Sequence, residues 1–441
     1  MRNPGANDWK KYAGNGFEYF KQAFIDAYQK EDFEVISMFV PIAEALSKKG
    51  FPQMIGDQTP EQQKFTIKGL VEKLKPLFSA MFPTTLSFDQ AKELGQEVAE
   101  EVSPGLALIL QEIDEEGRLH KNRTFEEQII KFAQKDIDDG IKEIEQLQAE
   151  LAELQTNGAE EWRIHSLNNR IQVINSAITH HKESIEKLEN IIESGKGTKA
   201  PTCYYRSTDD INIVPEKTAH DAIAIVHEGG HATTRSYLQT GCGLLPELPA
   251  ITAELVGSRY LEKNGMSEVR DFTVRRVVDL QKSAKSVLAL NEVFSEYETT
   301  GDITYQTVND AIIMSGWNRE GKPPEEYSHT DVNIFRDIIK ESGYFIGTTA
   351  GLSLNEKIKG KSDMENVFHV MGDDTLNDKQ KLDQMDVTQE NMIGSMNNFV
   401  RDNKIHLNLK SMGDKIGKVV DDFSKPIEKA INNMVESIAD R

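Results

Sequence analysis

The stretch AIAIVHEGGHATTRS, residues 222–236, decides how the rest of the chain is interpreted. It begins as an apolar run that predicts a buried helix, yet it places two histidines, a glutamate and two adjacent glycines within that helix. Each glycine costs about 1 kcal/mol relative to alanine inside a helix. Buried ionisable side chains are also unfavourable unless they are paired or bind a metal. The stretch therefore indicates a functional site and not only a core helix.

Residues 227–231 match the pattern H-E-x-x-H. Two histidines four residues apart lie on one face of a helix, so His227 and His231 are predicted to bind a single Zn²⁺ ion. Glu228 is offset by one residue and is predicted to act as the general base. The alternative is a surface helix with incidental histidines, which the apolar residues before the motif disfavour.

A catalytic zinc site needs a third protein ligand, and the segment LPELPAITAELVGSRYLEKNG, residues 245–265, offers three glutamates. We predict Glu254, because it shares a helix face with the small residues Ala250 and Gly257 and so can pack closely against a second helix. Glu262 lies nearer the exposed end of this helix, and Glu247 precedes the helix between two prolines.

Gly230 faces the predicted metal side, and its lack of a side chain should let the Glu254 helix approach. No comparable reason is apparent for Gly229. Asp221 and Thr252 are both candidates to hold the histidines from behind, and the sequence does not decide between them.

HEGGHA, followed by Glu254 23 residues after the second histidine, resembles the gluzincin class of zinc metallopeptidases. The similarity spans about residues 200–355 and is greatest to the thimet oligopeptidase and oligopeptidase F group and to angiotensin-converting enzyme. The resemblance implies a largely helical fold, a deep cleft between two lobes, and peptide-bond hydrolysis at one zinc ion. It also implies a small sheet beside the zinc, which CYYRSTDDINIV, residues 203–214, resembles; the edge strand of such a sheet pairs with an extended peptide.

The resemblance further implies a histidine and tyrosine group near the C-terminus that binds the substrate and the developing oxyanion. The matching segment, residues 327–351, offers Tyr327, His329 and Tyr344, of which we prefer His329 and Tyr344. The family's dense run of tyrosines is absent, since Phe345, Gly347 and Thr348 stand where more tyrosines are expected.

Helix signals dominate the chain, so we predict a mainly α protein. Residues 124–194 carry an apolar seam that recurs every seven residues in its first run and at alternating fours and threes in its second. The seam is interrupted at Asn157-Gly158, which predicts an antiparallel coiled-coil hairpin. The seam residues are Ile130, Ile137, Ile144 and Leu151, then Leu167, Ile171, Ile174, Ile178, His181, Ile185, Leu188 and Ile192. The predicted division is a helical lobe at 1–123, the hairpin at 124–195, a zinc-binding core at 196–355 and a helical region at 356–441.

The net charge of −21 disfavours nucleic acid and anionic membranes as partners. We find no secretory signal and no membrane-spanning run, so we expect a cytoplasmic protein or one exported without such a signal. Two functions remain open. One is a zinc peptidase acting on a peptide or protein. The other is a helical effector whose hairpin binds a protein partner and whose zinc site is structural or vestigial.

Overall fold

The computed structural model describes residues 16–27, 30–49, 84–156, 161–240, 243–316 and 329–403. The described chain is mainly helical and has one small sheet, as the sequence predicts. Within these residues, no helix is long and apolar enough to cross a membrane.

In the described residues, four helices precede the first strand: α1 (Gly16–Ala27), α2 (Lys30–Lys49), α3 (Phe88–Val102) and α4 (Pro104–Glu115). Strand β1 (Leu119–Lys121) leads to the two longest consecutive helices, α5 (Phe125–Thr156) and α6 (Glu161–Glu193), and then to β2 (Cys203–Tyr205) and β3 (Asp210–Ile213). The following helices are α7 (Ala219–Thr233), α8 (Arg235–Thr240), α9 (Leu248–Lys263), α10 (Val269–Thr300) and α11 (Tyr305–Met314). The last four are α12 (His329–Lys357), α13 (Lys361–Gly372), α14 (Asp378–Gln384) and α15 (Gln389–Asp402).

The sheet has the strand order β1-β3-β2, in which β3 is parallel to β1 and antiparallel to β2. The β2–β3 hairpin agrees with the predicted strands at 203–214. Strand β1 was not anticipated, because LHK is too short to carry an alternating pattern. Its addition makes β3 the central strand, fully buried, and leaves β2 at one edge.

Helices α5 and α6 pack against each other in antiparallel order. Glu143 pairs with Arg170 at 2.6 Å, and Asp136 lies 3.8 Å from His181, so positions advance along one helix as they recede along the other. Between these pairs, a Cβ built on Gly140 would lie 3.2 Å from Ile174, one of the predicted seam residues. We call α5 and α6 together the arm.

The core is one continuous apolar cluster that extends from Phe17 to Val400. Helix α2 packs against α10, and α15 packs against α12, so elements from opposite ends of the chain share this core. At its centre, α7 lies between α3 and α4 on one side and α9 on the other. This placement buries the HEGGH stretch between helices and brings it beside β2 and β3.

Candidate metal centre

Helix α7 carries the motif residues and holds them in the protein interior. Thr218 caps the helix by accepting a hydrogen bond from the His220 N–H, and the apolar residues up to Val226 fix the buried face. His227, Glu228 and His231 are only 7%, 6% and 9% exposed. The two imidazole centroids lie 5.0 Å apart, which confirms that residues four apart project to the same side.

The two glycines of the motif serve different helix contacts. A Cβ on Gly230 would lie 2.6 Å from the Ala250 Cα, so this glycine lets α9 approach α7, as the sequence predicts. A Cβ on Gly229 would lie 2.7 Å from Leu110 and 2.8 Å from Leu106, both on α4. The motif helix is therefore closely packed on two sides, and the second glycine has a reason that the sequence did not reveal. Gly257 does not take part in the contact with Gly230; a Cβ there would lie 2.7 Å from Val98 on α3 and 3.4 Å from Ile223 on α7.

Glu247, immediately before α9, points its carboxylate at both histidines. Its Oε2 atom lies 3.5 Å from His227 Nε2 and 3.4 Å from His231 Nε2. These distances exceed the 2.7–2.9 Å of a charge-assisted hydrogen bond. Oε2 is buried and accepts no hydrogen bond from the described residues. His227, His231 and Glu247 thus converge as a group that could hold a metal ion.

Glu254, the predicted third ligand, occupies a different position. Its Oε2 lies 2.9 Å from Nδ1 of His227, on the side of the ring away from Glu247. Arg276 on α10 grips the same carboxylate through two hydrogen bonds, of 2.8 Å to Oε1 and 2.6 Å to Oε2. Glu254 has no exposed surface, whereas Glu247 keeps 8%. The structure thus places Glu247 with the two Nε2 atoms and Glu254 behind His227.

The reason for this difference is the helical repeat. Glu247 and Glu254 are seven residues apart, which is about two helical turns, so both face α7. Which of them reaches the Nε2 atoms depends on where α9 begins relative to the histidines. Gly230 lies against Ala250, close to the start of α9, so the first turn of α9 and the preceding Glu247 lie nearest the motif. No local feature of the sequence fixes that register.

Electrostatics in this cluster are dominated by carboxylates. Burial alone would lower the pKa of His227, but Glu247 and Glu254 raise it to about 10. Burial raises the pKa of Glu228, against the opposing effect of the two histidines. Burial would also raise the pKa of Glu254. Arg276 and His227 outweigh this effect and hold the pKa of this carboxyl below its usual value.

Glu228 also meets the sheet. The backbone N–H of Tyr204 on β2 lies close enough to the Glu228 carboxylate to lower its pKa, against the effect of burial. Because β2 is an edge strand of the sheet, this proximity places that edge of the sheet beside Glu228. Cys203 and Tyr205 lie on either side of Tyr204 in β2. The charge of Glu228 contributes to raising the pKa of each.

Of the C-terminal candidates, the side chain of Tyr344 lies within the described residues. Tyr344 is half-buried on α12. Its pKa lies well above the usual value, mainly because of burial and further because the negative charges of Glu247 and Glu228 are nearby. Its phenol therefore stays protonated at neutral pH. Tyr327 and the side chain of His329 lie outside the described residues.

Asp221 and Thr252, the two residues considered as supports for the metal-binding histidines, do not have that role. Asp221 accepts the backbone N–H groups of Glu216 and Lys217, at 2.7 and 2.9 Å, and so organises the loop before α7. Thr252 donates to the Leu248 carbonyl within its own helix, at 2.6 Å. The group behind His227 is Glu254, held by Arg276. Arg276 carried no sequence signal, because it lies on a third helix and outside any motif.

Comparison of the chain with protein-family models, with curated proteins and with solved structures finds no match.

Proposed function

We propose that the protein is a zinc-dependent peptidase, with His227, His231 and Glu247 as the metal ligands and Glu228 as the general base. The observation that carries the proposal is the convergence of three buried ligand atoms, 3.4–3.5 Å between each Nε2 and Oε2. Zinc bonds of about 2.0–2.2 Å in tetrahedral geometry separate neighbouring ligand atoms by about 3.4 Å. Both Nε2–Oε2 distances therefore match a zinc site in which a fourth position would be open to water or substrate.

The charges of the cluster favour a divalent cation. Glu228, Glu247 and Glu254 bring three carboxylates into one buried region, and Arg276 pairs with Glu254. Metal ligation requires both imidazoles to be neutral, and with the three carboxylates and Arg276 ionised, two negative charges then remain. Such an excess in the interior is unfavourable unless it is compensated, and one Zn²⁺ ion would balance it.

The residues around the triad supply the other parts of a hydrolytic site. A bound zinc ion would polarise a carbonyl and activate a water molecule. Glu228 is adjacent to the ligands without being one, and its raised pKa brings it closer to the range that suits proton transfer at neutral pH. Tyr344 offers a protonated phenol as a hydrogen-bond donor to a developing oxyanion.

The edge of β2 gives the proposal a substrate class. An extended peptide can add to an unpaired strand edge through main-chain hydrogen bonds, with little demand on its sequence. The edge that meets Glu228 at Tyr204 would guide such a peptide past the general base. We therefore propose that substrates are extended segments, bound in a cleft between β2 and α12, as in the gluzincins that the motif resembles.

Two glutamate variants separate metal binding from catalysis. Glu228→Gln should retain zinc, because Glu228 is not a ligand, and should lose peptide cleavage by about 10²–10⁴-fold. Glu247→Gln should lose both zinc and cleavage. The matched control is Glu262→Gln, at the far end of α9, which should change neither. Zinc content by mass spectrometry and digestion of a peptide library measure the two properties. A zinc-free wild type, or cleavage that survives Glu228→Gln, would exclude the proposal.

A second function is favoured by the surface of the arm. Trp162 and Val173 on α6 are 65% and 68% exposed, so the arm offers apolar side chains to a partner. Trp is also enriched in protein interfaces. The arm, whether or not it is a regular coiled coil, would then bind a protein partner as the primary activity. This alternative predicts that Trp162→Ser abolishes capture of that partner by the full-length protein while zinc content is unchanged.

A further inference from the structure

Arg276 lies beside the candidate metal centre and makes a two-point contact there, yet it forms no hydrogen bond with either histidine among the described residues. It reaches Glu254 from α10, with Nε and Nη2 on the two separate carboxylate oxygens. A two-point contact of this kind fixes the plane of a carboxylate as well as its position. The ring of Phe272, one turn earlier on α10, packs against the guanidinium group, with its centroid 5.4 Å from the guanidinium carbon.

The fixed carboxylate in turn holds one imidazole. Glu254 Oε2 contacts His227 Nδ1 at 2.9 Å, so the ring of His227 is held from behind while its Nε2 faces Glu247. His231 has no equivalent support, since its Nδ1 is buried and makes no hydrogen bond among the described residues. Of the two histidines, His227 is thus the one whose ring orientation is fixed by a hydrogen bond, and the geometry of the metal-binding group depends on it.

We propose that Arg276 is a positioning residue of the metal centre, which locks Glu254 and through it aims His227 at the metal position. This inference rests on the proposed zinc site and adds a residue on a third helix to it. Loss of a group that supports a metal-ligating histidine typically weakens metal binding 10–100-fold. We expect loss of the Arg276 contact to have an effect of this size.

A competing explanation has the opposite sign. If Arg276 acted only as a nearby positive charge, it would repel a divalent cation, and its removal would strengthen zinc binding. Arg276→Gln would then bind zinc more tightly, whereas positioning predicts weaker binding. Arg276→Lys sharpens the distinction. Lysine keeps the charge but cannot reproduce the two-point contact, so only a positioning role predicts that this variant also loses affinity.

The experiment measures the zinc dissociation constant of the full-length protein by competition with a chromophoric chelator. Wild type, Arg276→Gln and Arg276→Lys are compared with Arg275→Gln, in which the neighbouring arginine, 3.5 Å from His220, is removed. We expect 10–100-fold weaker binding in both Arg276 variants, an unchanged constant in the control, and an altered visible spectrum of the Co²⁺-loaded Arg276 variants. Unchanged or tighter binding in Arg276→Lys would overturn the inference, even if Arg276→Gln does not fold.

A double-mutant cycle identifies the route of the effect. If Arg276 acts through Glu254, Arg276→Gln should weaken zinc binding in the wild type but add nothing in a Glu254→Gln background. Independent, multiplying losses would contradict the proposed route. Zinc binding that is equal in wild type and all Arg276 variants would overturn this inference alone, whereas a wild type that binds no zinc would overturn the metal centre itself.

Discussion

Gly230 and Gly229 are neighbours in the sequence, but an added methyl group would meet different obstacles. At Gly230 it would strike the backbone of Ala250, 2.6 Å away, and α9 would have to move. At Gly229 it would meet the side chains of Leu106 and Leu110, with the Cγ of Leu110 at 2.9 Å, so that side chains and not a backbone would have to move. We predict that Gly230→Ala lowers the free energy of unfolding by about 1–3 kcal/mol and displaces Glu247, with loss of zinc.

The control at Gly229 makes this prediction specific. Alanine there gains up to about 1 kcal/mol of helix propensity, which offsets part of the crowding. Gly229→Ala should therefore change stability little and leave zinc binding intact. Urea unfolding and zinc content measure both effects. If the two variants behave alike, the close approach of α9 at Gly230 does not position the site.

Only part of the metal centre could be predicted from the sequence. His227, Glu228 and His231 could be predicted as a unit, because their relation is fixed by one helix. Glu254 could be recognised as important, since a buried glutamate on an apolar helix face needs a partner. Its place behind His227 could not be foreseen, because Glu247 lies two turns away on the same face. The seven-residue spacing was the available signal that Glu247 also faces the motif.

At the scale of elements, α12 holds Glu247 in place. Gly347 faces the start of α9, where an added Cβ would lie 2.8 Å from the Cβ and 2.9 Å from the carbonyl carbon of Glu247. We predict that Gly347→Ala pushes Glu247 from the histidines and weakens zinc binding by about tenfold or more, since metal ligands must be held closely. Gly343→Ala is the control one turn earlier. Its Cβ would lie 3.6 Å from Pro246, an ordinary contact, and zinc affinity should not change.

The base of the arm is joined to the sheet by buried Asp210 at the start of β3. Its carboxylate pairs with Lys131 on α5, and with His120 on β1 at 3.1 Å. Burial would raise the pKa of Asp210, but the hydrogen bonds from His120 and Lys131 outweigh it and lower the pKa to about 2 from 3.8. Because the folded-state pKa is the lower one, this stabilisation is present above about pH 4 and lost as the pH falls through 2.

The Asp210 shift corresponds to about 2 kcal/mol at neutral pH. We predict that Asp210→Asn lowers the free energy of unfolding by this amount at pH 6, and that the difference from wild type shrinks as the pH approaches 2. Asp136→Asn, at a mostly exposed carboxylate on the arm, should have little effect at either pH. Urea unfolding of the three proteins across this pH range tests the prediction. A difference that does not depend on pH would exclude the ionised carboxylate as its source.

At the scale of the whole molecule, the sequence predicts helices well because capping and apolar periodicity are local. The arm illustrates this: the apolar pattern of residues 124–194 predicts two long helices, and α5 and α6 are found there. The sheet and the metal centre depend instead on contacts between distant segments. Strand β1 is too short to signal itself, and Arg276 enters the site from a third helix.

The last prediction concerns the outer part of the arm, where α5 and α6 mainly contact each other. Beyond Lys135, which donates to the Ser207 carbonyl at 2.6 Å, helices α5 and α6 make their extensive contacts with each other. Gly140 and Ile178 face each other across the pair, at 3.3 Å for an added Cβ. Four Gly/Ser residues span about 11 Å, enough to join these positions in place of residues 141–177.

We predict that the shortened protein folds, binds zinc with wild-type affinity and cleaves small peptides normally, because the Asp210 contacts and all of α7 remain. If the arm recruits protein substrates, cleavage of a folded protein should fall while cleavage of short peptides is retained. Circular dichroism, zinc titration and paired assays with a peptide and a protein substrate distinguish these outcomes. Loss of zinc on shortening would instead show that the distal arm supports the metal centre, through the β2–β3 turn on which its base rests.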